Sequence, residues 1–195
     1  MRNRSLLVAT LGLLVAGCAT TPPTEVRETL DERTGVTVTS MPVALEFYSP
    51  QPERGLQAAS FAYLAPLEVN RMGKRDTYLW LSVVRGADEG SDSAAGRLAP
   101  PDVSIAMDGE RLEPAFVSAD ARELGMGQPV YERPAEWVGE AYYAITPQQV
   151  AQMAGANVLA LELRTAGEEA RRYDLSTVEL AGLRNFSERI GNEVP

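Results

Sequence analysis

The chain reads as a mainly β protein, an antiparallel β-sandwich with two short helices in its C-terminal half. Three observations predict this. Apolar residues alternate with polar ones in short runs bounded by Gly, Pro, Asn and Asp. Two such runs are joined by Asp108-Gly109, residues that supply the positive φ angles of a two-residue hairpin. Helix-start signatures occur only late, at Thr146 and Ser176. An immunoglobulin-like sandwich is one form this pattern takes. An α+β sheet with helices on one face is the alternative.

From Gly35 onward the elements follow in order. Val36 and Val38 alternate with Thr37 and Thr39, and Val43, Leu45 and Phe47 alternate with Ala44, Glu46 and Tyr48. Ser60 to Val69 is largely apolar and closes on the turn Arg71-Met72-Gly73-Lys74. Thr77 to Val84 is apolar on both faces, β-branched and aromatic, which predicts a central strand covered on both sides. Gly86 to Pro101, rich in Gly, Ala, Ser and Asp, reads as a loop. Val103 to Met107 and Arg111 to Glu113 flank the Asp-Gly turn. Residues 119 to 139 carry Gly125, Gly127, Pro129 and Pro134 and read as irregular.

Glu140 to Ile145 is a further strand. Thr146, Pro147 and Gln149 form a capping box with proline at the first helical position, and Gly155 stops that helix. Asn157 to Thr165 places Leu159, Leu161 and Leu163 on one face and pairs with a strand around Ala170 to Leu175. Ser176 and Glu179 form a second capping box, opening a helix with Leu180, Leu183, Phe186 and Ile190 on one side.

The start of the chain has a different character. Arg2 and Arg4 precede an apolar run, Ser5 to Ala16, that is too short for the ~20 residues of a membrane-spanning helix. Ala16 and Gly17 then lead into Cys18, the only cysteine. A positive start, a short apolar run and a small-residue exit describe a cleavable export signal. The run Leu14-Val15-Ala16-Gly17-Cys18 resembles the lipobox of bacterial lipoproteins. The resemblance implies cleavage between Gly17 and Cys18, a diacylglyceryl group on the Cys18 sulfur and an acyl group, such as palmitate, on the new amine. Ala19 after the cysteine, where an Asp signals inner-membrane retention in enteric bacteria, implies the outer membrane with the protein facing the periplasm. The segments Asp31-Glu32-Arg33-Thr34-Gly35 and Leu67 to Gly73 resemble uncharacterised proteobacterial lipoproteins, which adds no function.

The expected organisation is therefore a signal at 1–17, a lipidated Cys18 with a Pro-rich tether to residue 34, and one β-rich domain over 35–195. Without the signal, 16 basic residues face 27 acidic ones, a net charge of −11. An acidic surface argues against nucleic acid as a partner. The membrane, through the lipid, is the expected partner, together with another envelope protein.

The chemistry is limited by what is missing. The chain has no His, which removes triads and His-based zinc sites, and its one thiol is the lipidation site. No phosphate-binding glycine loop occurs, and no metal or cofactor is expected. The acidic loop Asp88 to Ser93 lacks the spacing of a calcium-binding loop and reads as solvated. A glycan hydrolase built on two carboxylates is the alternative to a non-catalytic role. Yet no acid stands isolated in an apolar strand, and Glu46 and Glu162, the nearest candidates, fall on polar strand faces. Tyr131, Trp137, Tyr142 and Tyr143 form a candidate binding surface, because aromatic residues dominate contact hot spots.

Overall fold

A long hairpin forms the spine of the fold, β4 (Ser60–Arg71) running back as β5 (Lys74–Val84) in unbroken antiparallel register. Its turn is Met72-Gly73, with φ of 50° and 91°. The computed structural model describes residues 24–50, 60–84, 100–135, 138–176 and 180–192. Before the spine come β1 (Arg27–Asp31), β2 (Val36–Ser40) and β3 (Leu45–Ser49). After it come β6 (Asp102–Met107), β7 (Glu110–Leu112), β8 (Ala115–Ser118) and β9 (Glu140–Ala144). Helix α1 (Pro147–Gly155), β10 (Leu159–Arg164), β11 (Arg171–Leu175) and α2 (Ala181–Gly191) complete the order.

The mainly β, antiparallel architecture with two late helices matches the sequence reading. The strands join into one curled sheet, a half-barrel, with the order β7-β6-β10-β11-β3-β4-β5-β9-β8. A single sheet arises because β4 has two partners on one edge. Its first half, Ser60 to Leu64, pairs with β3, and its second half, Leu67 to Asn70, pairs with β2, which carries β1.

Pro66 sits between those halves. Proline has no N–H for a ladder and is unusual in an interior strand. Here it occupies the gap where β4 changes partner, and its carbonyl accepts a 2.8 Å hydrogen bond from Tyr131 Oη. Continuing the β2 register places Met41 opposite Pro66, and the Met41 N–H donates to the same Tyr131 oxygen at 3.0 Å. The phenol thus replaces a missing rung of the ladder.

Each face of the sheet buries its own core. On one face Phe47, Leu64, Leu79, Leu81, Ile105, Tyr143 and Leu161 pack under α1 and α2, through Val150, Met153, Leu183, Phe186 and Ile190. On the other, Val38, Leu67, Val69, Trp80 and Tyr142 pack under residues 121–131, through Ala121, Leu124, Met126 and Tyr131. β5 lies between these layers and is buried from Thr77 to Ser82, as the doubly apolar pattern predicts. The leucines of β10 all face the helix side.

The local signals fare unequally. Asp108 and Gly109 take positive φ, 46° and 94°, at the β6–β7 turn. The Asp108 carboxylate also accepts from the amides of Asn157 and Val158, which fastens the hairpin to the start of β10 and lowers its pKa below the usual carboxylate value. The capping box at Thr146 is present in full. The one at Ser176 is not: α2 begins at Ala181 after Leu180, and Ser176 instead donates its amide to Glu46 O, extending the β11 ladder. Glu179 lies outside the described residues. Val43 precedes β3 and is exposed.

Order begins earlier than residue 35. β1 pairs along its length with β2, and Asp31 and Arg33 in the following turn grip Gly127. The Gly127 amide donates to Asp31 Oδ2 at 2.5 Å, and Arg33 donates to the Gly127 carbonyl at 2.6 Å. The first contact, Asp31 with Gly127 N–H, is the main cause of the lowered Asp31 pKa. The described chain begins at Thr24, whose carbonyl accepts from Asn185 Nδ2 on α2.

Candidate functional site

The sheet order begins at β7 and ends at β8, and only Glu113 and Pro114 separate these strands in the chain. The two ends of the half-barrel are thereby drawn together without a ladder between them. A groove of about 440 Å³ lies along this seam. Its walls come from the start of β6 (Pro101, Asp102, Ser104), from Arg111 and Glu113, from Phe116 and Tyr143, and from Glu162 and Arg164 of β10.

Local pairing sets these side chains. Ser104 is opposite Glu162, and Asp102 is opposite Arg164, so all four share one sheet face, away from the leucines. Arg111 reaches over from β7 to hold Glu162 through two contacts of 2.9 and 3.2 Å. Phe116 is half exposed and meets the Tyr143 ring edge-on, centroids 5.8 Å apart. Tyr143 Oη donates to Pro101 O at 2.7 Å, a staple from β9 to the entry of β6. Ser104 Oγ is buried without a hydrogen-bond partner among the described residues.

The groove offers charges of both signs beside one aromatic face. A general acid in a glycosidase needs an apolar setting and a facing carboxylate. Glu162 is engaged by Arg111, and Asp102 and Glu113 are open to water.

Of the four aromatic residues singled out from the sequence, the three that are described do not make a surface. Tyr131, Tyr142 and Tyr143 are 8 %, 0 % and 1 % exposed and belong to the two cores. Tyr142 and Tyr143 are both buried because β9, like β5, has a core on each face. Burial pushes all three phenols above the usual tyrosine pKa; nearby Glu140 adds to the rise at Tyr142 and Asp102 at Tyr143. Tyr131 also lies 5.2 Å from the Trp80 ring. Trp137, the acidic loop 88–93, Gly17 and Cys18 lie outside the described residues.

The acid that sequence reasoning missed is Glu68. It is 3 % exposed in β4, between Leu67 and Val69, and Arg75 from β5 approaches it at 3.4 Å. The sequence holds a signal for it: Leu67-Glu68-Val69 puts a carboxylate inside an otherwise apolar stretch. Glu46 and Glu162, by contrast, are half-buried on their strands. Burial raises the Tyr63 pKa first, and the neighbouring Glu46 carboxylate raises it further. Among the described residues no three acidic or metal-binding side chains converge on one point, and no helix is long and apolar enough to cross a membrane.

No family model, curated protein or solved structure matches this chain.

Proposed function

We propose that the protein is a lipoprotein of the outer membrane, facing the periplasm, with a non-catalytic binding or structural role in the cell envelope. The observation that carries the reading is the position of the one cysteine. Cys18 closes a signal-like segment and precedes by six residues the first residue, Thr24, tied to the folded body. A domain that begins so soon after its anchor needs no span of its own. Each buried methylene of an acyl chain contributes ~0.8 kcal/mol, so several chains on one residue hold it firmly. The partner, besides the membrane, is another envelope protein. The seam groove supports binding over glycan hydrolysis, because its acids lack a dry, facing arrangement.

The test is Cys18→Ser in the native host followed by fractionation. The substituted protein is expected in the soluble periplasmic fraction or retained as the uncleaved precursor, without added acyl mass. Unchanged membrane association of a cleaved, unacylated product contradicts the reading.

A further inference from the structure

The point where the tether joins the fold determines which face can approach the membrane. Asn185 of α2 donates to the Thr24 carbonyl at 3.0 Å, and Arg189 of α2 pairs with Glu28 of β1 at 2.8 Å. The chain therefore leaves the folded body alongside α2. From Thr24 back to Cys18 are six residues, which span at most ~20 Å fully extended.

The opposite pole is the β4–β5 turn. β1 begins level with Ser40 and Leu67 and runs in the same direction as β4, toward Met72. Met72 lies five residues further on, about 17 Å beyond the start of β1 at ~3.3 Å per residue. Its side chain is fully exposed, on a backbone with positive φ that favours Gly, Asn or Asp.

Charge does not oppose this direction. Without the signal the chain carries a net −11, and anionic headgroups repel such a surface within about a Debye length, ~10 Å. Helix α1, Pro147–Gly155, has no charged residue. It lies beside α2, where Arg184 Nε donates to Ala154 O at 3.2 Å. On α2 itself Arg184 and Arg189 outnumber Glu188. The opposite pole, with Arg71, Lys74 and Arg75 around Asp76, is no more acidic, so the junction at Thr24, and not charge, carries the orientation.

We propose that the face formed by α2 and the start of β1 lies against the bilayer surface, and that the Met72 turn points away from it toward the periplasm. This rests on the lipid-anchor reading. The experiment uses the acylated protein reconstituted in phosphatidylethanolamine/phosphatidylglycerol vesicles that carry an acceptor dye on a small share of headgroups. A donor dye is attached to Glu188→Cys in one sample and Met72→Cys in another, Cys18 being blocked by its lipid. Mass analysis first establishes the acyl groups, and circular dichroism the fold of each variant. The loss of donor emission at position 188 is expected to exceed that at position 72 by about twofold or more, given a separation on the order of 20 Å. Equal losses, or a larger loss at 72, in acylated protein overturn the orientation alone. Absence of acyl groups overturns the anchor and the orientation together.

Discussion

The Tyr131 hydroxyl bridges a break in the main-chain ladder, and removing it as Tyr131→Phe tests that arrangement with almost no change in shape. The oxygen accepts from the Met41 N–H at 3.0 Å and donates to the Pro66 carbonyl at 2.8 Å, and all three residues are buried. The ring stays against Trp80, so the loss is confined to the contacts of one oxygen, the hydrogen bonds with Met41 and Pro66 and one with the Ser40 side chain. A buried backbone group left unsatisfied costs about 1–3 kcal/mol. Two such groups, with some relaxation, give an expected loss of about 2–4 kcal/mol, a large share of the ~5–15 kcal/mol that holds a typical domain folded. With a urea dependence of about 2 kcal/mol/M, the midpoint falls by about 1–2 M. Urea unfolding followed by circular dichroism and by fluorescence, to which Trp80 contributes, measures this. Tyr142→Phe is the matched comparison. Its oxygen is buried without a well-formed hydrogen bond among the described residues, so removing it should change stability by less than about 1 kcal/mol. Equal midpoints for the two variants would refute the bridging role.

The buried phenols also set an alkaline limit. Their folded pKa values lie above the unfolded value of 10.0, so the folded state keeps protons that the unfolded state releases, and stability falls as pH rises past about 10. Phenolate absorbance should show Tyr131, Tyr142 and Tyr143 titrating only with unfolding. The acid side runs the other way. The lowered folded pKa of Asp108 contributes stability that is present above its unfolded value of 3.8 and lost as pH falls through the folded value. Asp108→Ala should therefore be less stable than the parent at neutral pH, and the gap should narrow below about pH 4 in thermal melts. Gly127→Ala places a Cβ into the Asp31 carboxylate and the Arg33 guanidinium, so these side chains must shift and their hold on Gly127 weakens. A loss of about 1–3 kcal/mol is expected in urea unfolding, whereas Gly191→Ala, with open space around it, should be neutral or slightly stabilising.

Periodicity made the strands with strong patterns legible in the sequence. The doubly apolar β5, the three leucines of β10 and the Asp108-Gly109 turn report local physics, and the local physics decides them. β1 was hidden because it is an exposed edge strand of mixed charge, Arg-Glu-Thr-Leu-Asp, held by long-range contacts: pairing with β2, Glu28 with Arg189 and Asp31 with Gly127. The sharing of the β4 edge by β2 and β3, which makes one curled sheet, is a long-range pairing that no window of sequence encodes. The same holds for Tyr131. Its neighbours are Gly, Pro and charged residues, which read as an exposed loop, yet its hydroxyl completes a rung between Met41 and Pro66, 90 and 65 residues away. The seam groove was invisible for the same reason, since it joins residues from β6 to β10. Glu68 was locally visible, and its burial follows from the strands on both sides of β4 and from Arg75 across the hairpin.

The most direct test is the intact mass and N-terminal fragment of the protein purified from membranes of its own host. The account predicts a chain that starts at Cys18, carries diacylglyceryl on sulfur and an acyl group on the amine, and leaves the membrane only with detergent. A chain starting at Met1, or a mature Cys18 with no acyl mass, would contradict it.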